Sequence, residues 1–264
     1  MAPRDPDSAS RSERPKVRLF VEDDLAPGGS VIPTRDQTHY LLRVMRLRAG
    51  DELSVFNGHD GEWRVRIEAA GKPGCTLEIA AQRRPQRPEP DVWLAFAPLK
   101  KARMDFLVEK ATELGAAALW PVFTRRTVAG RVNTSRLRAQ AIEAAEQCER
   151  LTVPKIRDPL ALDAFLDAWP PARPLIVLDE TGDGAPITET LTGLRAKPQA
   201  SPPRHGFLIG PEGGFARSEL DALANLPFVM RVGAGPRILR AETAALAALI
   251  CWQALIGDWR GPSS

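Results

Sequence analysis

Apolar and polar positions change rhythm about a third of the way along the chain. Over the first part, short apolar-rich runs stand close together, at 17–21 (VRLFV), 52–56, 62–69 and 76–81. Runs of this length, with Asn57-Gly58 and the segment 71–74 supplying turn chemistry, predict strands. A helical pattern interrupts them at 39–48 (HYLLRVMRLR). There Leu41, Val44 and Met45 make an inward stripe, while Arg43 and Arg46 share an i,i+3 face. The expectation is a small β-barrel with one helix inserted.

Residues 82–91 (QRRPQRPEPD) hold three prolines and no apolar residue, the composition of a linker. Beyond them strands predicted at 92–97, 117–122, 174–178, 206–209 and 228–232 alternate with helices at 102–114, 134–150, 160–168, 187–194, 218–224 and 241–259. Met104, Leu107, Ala111 and Leu114 line one face of the first of these helices, and Gly115 stands at its C-cap. Asn133, Thr134 or Ser135 caps the second. The proline-bearing segment 195–204 reads as an exposed loop. Such alternation predicts an α/β domain with a mainly parallel sheet covered on both faces. In the last helix Gln253 is the only polar residue between Ala244 and Ile256, so that helix must be buried in the core or against a second subunit. The expected organisation is a disordered tail at 1–14, a barrel at 15–86 and the α/β domain at 87–264.

Two stretches repeat a strand–glycine-turn–helix pattern: 206–219 (GFLIGPEGGFARSE) and 232–245 (VGAGPRILRAETAA). Two such units predict two loops meeting over one ligand at the carboxyl ends of parallel strands. Neither loop is GxxxxGK[ST] or GxGxxG, and Glu212 would repel a phosphate. A neutral or cationic ligand suits the first loop better, its main-chain amides reading an adenine or a ribose. The competing reading is a tight turn with a solvent-facing glutamate. In the second stretch Arg240, Glu242 and Thr243 gather at a helix mouth. Thr243 or Glu242 as a cap, with an Arg240–Glu242 ion pair, is the structural reading. The functional one has Arg240 stabilising negative charge while Glu242 orients it or handles a proton.

Composition narrows the class. At 264 residues, 44% apolar and 26% charged, the chain has material for a large core, which excludes global disorder. A net charge of +3 is too mild to argue for nucleic acid by itself, so placement must decide. Arg125, Arg126, Arg131, Arg136 and Arg138 fall within 124–138 without any acid. Lys100, Lys101 and Arg103 follow a strand end, and Arg43 and Arg46 lie in the barrel. Each cluster is either a solvated face or part of an RNA footprint. Cys75, Cys148 and Cys251 are odd in number and widely spaced, which argues against a disulfide framework and against a metal site, and for a reducing cytoplasm. His39, His59 and His205 stand apart from one another and are expected at the surface or in caps. Residues 1–14 contain no apolar signal segment, and the run 244–252 falls far short of the roughly 18 residues of a membrane span.

At this point the motifs converge. LIGPEGGF followed by PRILRAETA resembles the RsmE family of SPOUT-class RNA methyltransferases. So do MDFLVEKATELG at 104–115, AAEQ at 144–147 with Val153-Pro154-Lys155-Ile156, and HYLLRVMRLRAGDEL in the barrel. The similarity extends over nearly the whole chain from Val17 onward. It implies an enzyme that uses S-adenosyl-L-methionine to methylate N3 of a uridine in 16S rRNA, position 1498 in the family's numbering, within the 30S subunit. The fold it implies is a PUA-like β-barrel followed by a SPOUT domain with a deep trefoil knot, dimerising through the C-terminal domain. The methyl donor would meet Leu208, Gly210 and Gly213 on the first loop and Val232, Ala234, Gly235, Ile238 and Leu239 on the second. Arg240, Glu242 and Glu212 become the catalytic candidates, and Arg43, Arg46, Lys100, Arg103, Arg125 and Arg126 the RNA-binding ones. The family commonly has Leu at the place of Ala234 and Thr at that of Ala241, and a serine-rich form where TRRTV stands at 124–128. Three other readings compete: a SPOUT enzyme with a different RNA target, a non-catalytic rRNA-binding or assembly protein, and a Rossmann-type nucleotide enzyme. The last lacks its phosphate-loop residues.

Overall fold

The computed structural model describes residues 17–70, 74–196 and 203–260. The expected tail at 1–14 lies outside these residues, as do most of the turn at 71–74 and most of the loop at 195–204. The chain divides into two compact units, one reaching to Arg87 and including Glu149–Thr152, the other Pro88–Cys148 and the residues from Val153 on.

In the first unit β1 (Arg18–Phe20), β2 (Ser30–Val31), β3 (Glu52–Phe56), β4 (Glu62–Ala70) and β5 (Cys75–Arg84) build one sheet in the order β1-β3-β4-β5-β2. The β1–β3 ladder is parallel and the rest are antiparallel. Alternate side chains (Leu53 and Val55, Val65 and Ile67, Leu77 and Ile79) are buried together in one core, as a period of two requires. The helix departs from expectation. α1 (Arg35–His39) starts earlier, where Thr34 and Gln37 bond each other's main-chain N–H in a capping box. It then widens into a π-helical turn, Tyr40–Val44, and stops. The wider turn turns Val44 outward, 58% exposed, so the predicted inward stripe keeps Leu41 and the partly buried Met45 but loses Val44. Arg46 lies past the helix end with φ 59° and does not share a helical face with Arg43.

The predicted linker also begins later, because Gln82–Arg84 belong to β5. The reason is Glu62, 2% exposed, whose carboxylate pairs with Arg18, Arg83 and Arg84. Arg18 and Arg84 reach on to the carbonyls of Arg150 and Glu149, each at 2.8 Å, which is how 149–152 joins this unit.

The second unit runs β6 (Asp91–Phe96), α2 (Lys101–Glu113), β7 (Ala118–Phe123), α3 (Thr134–Gln147), β8 (Lys155–Ile156), β9 (Leu160–Ala161), α4 (Leu162–Ala168), β10 (Leu175–Leu178), β11 (Ala185–Pro186), α5 (Ile187–Ala196), β12 (Arg204–Ile209), α6 (Arg217–Ala224), β13 (Val229–Gly233) and α7 (Ala241–Leu255). The sheet order is β11-β13-β10-β12-β6-β7-β8, with β9 also against β7, and every ladder is parallel. The expected α/β architecture is present. Buried apolar residues occur consecutively along its strands, as in a sheet covered on both faces. Leu94, Phe96, Ile176, Leu178, Phe207 and Ile209 pack with α2, α3, α5 and α7. Ala95, Trp120, Leu175, Val177 and Leu208 pack on the other face with α4 and α6.

Three boundaries differ from expectation. α3 stops at Gln147, since Glu149 takes φ 62°. Leu160–Ala161 pair with β7 instead of opening α4. α7 ends at Leu255, and a 3-10 turn at Asp258–Arg260 follows it. Its one polar interior residue, Gln253, is buried and satisfied: its Nε2 donates to the Leu114 carbonyl at 2.7 Å and its Oε1 accepts the Asp258 N–H at 3.2 Å. Among the described residues no helix is long and apolar enough to cross a membrane.

Candidate active site at two glycine turns

The strands that carry the two glycine turns end in register. Leu178 pairs with both Ile209 and Val232, and Ile209 pairs with Phe96. Because all four strands are parallel, the loops after β6, β10, β12 and β13 open on one edge of the sheet, where α/β proteins bind ligands.

The first turn is held by its neighbours. The Phe215 ring lies so close to Gly210 that a Cβ there would stand 2.8 Å from it. Gly214 has φ +68°, and a Cβ on it would meet Glu180 Oε1 at 1.9 Å. That same oxygen accepts the Phe215 N–H at 3.0 Å. Arg126 donates to the Gly213 carbonyl at 2.9 Å. At the start of α6 the buried Glu219 accepts the N–H of Ala216 at 2.7 Å and that of Arg125 at 2.8 Å, which ties the loop after β7 to the first turn. Two carboxylates thus fix the C-terminal end of the glycine loop through the consecutive main-chain donors of Phe215 and Ala216.

The second turn is more open. Gly235 has φ +95°, a Cβ placed on it would meet nothing within 4 Å, and Ile238 is 90% exposed. Beneath it, Arg231 on β13 pairs with the buried Asp179 at the end of β10. Burial pushes the Asp179 carboxyl up, but hydrogen bonds from Thr181 and the Arg231 guanidinium outweigh it and hold the group below the usual range. Arg240 occupies the cap position of α7, exposed and without a side-chain capping bond. Neither Thr243 nor Glu242 caps this helix. Glu242 is buried, and its ionic partner is Arg103 rather than Arg240: Arg103 Nε stands 3.6 Å from Glu242 Oε1. Arg103 also donates to Glu212 on the first loop. Two of the three catalytic candidates therefore meet at a residue that the sequence placed with RNA.

The remaining expected site residues fall as follows. Leu208 and Val232 bury their side chains in opposite cores, so they present only main chain to the loop edge. Gly213 is exposed, while Ala234 and Leu239 are half-buried. Lys100, Pro98, Leu99, Val128, Ala129, Pro211 and Glu212 line a shallow cleft. Arg125 and Arg126 are exposed beside the first loop, and Arg43 and Arg46 are exposed on the first unit. His205 is a correction. It is 2% exposed, with its ring 6.0 Å from that of Trp252, and is neither a surface nor a capping residue. Glu180, Asp179 and Glu219 were missed. Glu219 alone carried a signal, standing three residues after Ala216 as in a capping box, but Ala216 lacks the side-chain oxygen that marks one.

A fold of this kind has relatives. Residues 86–253 match the family described as RNA methyltransferase domain, and residues 33–80 that described as RNA methyltransferase PUA domain. The class is thus that of RNA methyltransferases with a PUA domain. Ribosomal RNA small subunit methyltransferase E of Rickettsia conorii is 31% identical over 88% of this chain and 93% of its own length. The protein of that name from Synechocystis is 33% identical over 90% and 78%. The Neisseria gonorrhoeae ribosomal RNA small subunit methyltransferase E, solved bound to S-adenosyl methionine, aligns with a TM-score of 0.81 at 26% identity, covering 92% of this chain and 99% of that one. This chain belongs to the ribosomal RNA small subunit methyltransferase E family.

Proposed function

We propose that this chain methylates N3 of uridine 1498 in the 16S rRNA of the 30S subunit, with S-adenosyl-L-methionine as donor. The observation that carries the reading is the convergence of the two glycine turns at the aligned ends of β12 and β13, with Glu212 and Glu242 on a shared arginine. The donor supplies an electrophilic methyl on a cationic sulfonium. The residues present fit such a ligand: Gly235 leaves an open approach, Gly213 is exposed, and the nearby charged side chains include two carboxylates in place of a phosphate cradle. In this reading the main chain at Leu208, Gly210, Gly213, Val232, Ala234, Gly235 and Leu239, with Ile238, holds the donor. Arg240 steadies charge on the uracil oxygens, and a carboxylate takes the N3 proton.

The RNA would lie on Lys100, Arg125 and Arg126 and on Arg43 and Arg46 of a PUA-like barrel at 15–86, with the catalytic domain at 87–264 containing the family's trefoil knot. Ile250 on the outer face of α7, 43% exposed, supports a homodimer through this domain. A ribosomal substrate supports a cytoplasmic location. The test is incubation with 30S subunits from a strain lacking this modification and labelled donor, followed by mass spectrometry of the rRNA. Label at N3 of uridine 1498 is the expected result. Label elsewhere means another RNA target, and none at all leaves a non-catalytic rRNA-binding role.

A further inference from the structure

Resting on the methyl-transfer reading above, we propose that Glu242 is the acceptor of the uracil N3 proton and that Arg103 is the positioning residue that holds it there, not a contact to RNA phosphate.

The argument starts from what Glu242 lacks. Its side chain is 12% exposed, yet its only ionic partner among the described residues stands at 3.6 Å, beyond hydrogen-bond distance. Its other oxygen, Oε2, is shielded from solvent and has no hydrogen-bond partner among the described residues. A carboxylate oxygen shielded from solvent without a donor is costly, and in a native structure such a group calls for a specific explanation, a catalytic role among them. Glu212 differs. Its side chain is 37% exposed, and one oxygen already takes a hydrogen bond from Arg103. Of the two, Glu242 is the carboxylate waiting for an N–H.

Arg103 is poorly suited to phosphate. Its guanidinium faces two carboxylates, so the trio carries one net negative charge, and an approaching phosphate meets Glu212 and Glu242 as well as the cation. Arg103 sits on α2, and it spans from the first loop to α7, so it sets where the Glu242 carboxylate lies relative to that loop. The step balances: the N3 lone pair forms the new N–CH₃ bond as the S–CH₃ bond breaks, the bonding pair stays on sulfur as a neutral thioether, and the N3 proton passes to Glu242.

The test is steady-state methylation of 30S subunits by the full chain and by E242Q, R103A, R103K and the R103A/E242Q double variant. Calorimetry with S-adenosylmethionine and S-adenosylhomocysteine and a thermal melt of each variant go alongside. E242Q should lose about 10²–10⁴-fold in kcat, the range of a positioned general base, with donor affinity and RNA KM nearly unchanged. R103A should lower kcat, R103K should restore part of it, and the double variant should match E242Q alone, since a residue that acts through another adds nothing once that other is gone. Additive losses in the double variant, or an R103A defect in RNA KM and salt dependence instead of kcat, overturn the role given to Arg103. Weakened S-adenosylmethionine binding by E242Q with S-adenosylhomocysteine unaffected makes Glu242 a counter-charge to the sulfonium and overturns the acceptor role. An inactive wild-type chain removes the functional reading itself, and is recognised before any variant is compared.

Discussion

Glu180 accepts the main-chain N–H of Phe215 at 3.0 Å across 35 residues of sequence, and so joins the end of β10 to the first glycine turn. Removing that acceptor should loosen the turn without touching any proposed catalytic group. Glu180→Ala leaves a part-buried N–H unpaired, a loss of about 1–3 kcal/mol. The expected outcome is weaker S-adenosylmethionine binding in calorimetry together with a lower Tm, and Glu180→Gln, which keeps an acceptor oxygen, should fall between. Unchanged affinity in Glu180→Ala would separate this contact from the donor site.

Gly214 and Gly235 both take positive φ, yet they should tolerate alanine differently. At Gly214 a Cβ collides with Glu180 Oε1, whereas at Gly235 it meets nothing within 4 Å. Each substitution carries the left-handed backbone penalty of roughly 1–2 kcal/mol, and only Gly214→Ala also displaces Glu180. Denaturant unfolding should rank Gly214→Ala well below Gly235→Ala. Adding Glu180→Ala to Gly214→Ala should cost less than the two single losses together, because the clash is then relieved.

Acid should destabilise the second unit through His205. Burial, and then the Arg173 charge, lowers its pKa from 6.5 to about 4. The unfolded chain therefore binds the proton first, so the contribution is complete above pH 6.5 and is lost as pH falls toward 4. A shift of this size corresponds to about 3 kcal/mol at most. Thermal melts from pH 7 to pH 4 should fall less steeply for His205→Phe than for the wild type; parallel curves would mean that His205 does not carry the effect.

Glu62 gives the first unit a separate acid sensitivity. Burial pushes its carboxyl up, but the Arg18 and Arg84 guanidiniums outweigh that and leave it depressed. Its contribution is present above the unfolded carboxyl value and lost as pH falls through the lower folded one. Glu62→Gln removes the negative charge opposite Arg18, whose side chain is 8% exposed, and a buried pair broken this way costs about 3–5 kcal/mol. Hydrogen exchange should show β4 and β5 amides losing protection before those of β10 and β12.

Much of the fold was readable from local patterns. Period-two burial in β5, the capped helix after Asn133 and the alternation beyond residue 90 each depend on neighbours a few positions away. Local patterns failed where distant charges decided the outcome. Gln82–Arg84 read as linker because nothing nearby tells that Glu62 waits opposite Arg84. His205 read as a surface residue because its one-residue signal says nothing of the Trp252 ring packed against it.

The candidate site divides in the same way. By itself the sequence determined the two glycine turns, the strands that lead into them and the acids they carry, because turn chemistry and hydrophobic period are local properties of the chain. Only the tertiary structure decided that Arg103 lies between Glu212 and Glu242, that Arg240 is not the partner of Glu242, and that Glu180 and Glu219 hold the first turn. Those relationships join residues 35 positions apart at Glu180 and Phe215 and 109 apart at Arg103 and Glu212, or reverse the expected partner of a close neighbour. Their energies arise only after the parallel sheet has brought the strand ends side by side, and no pattern along the chain records which carboxylate will then face which cation.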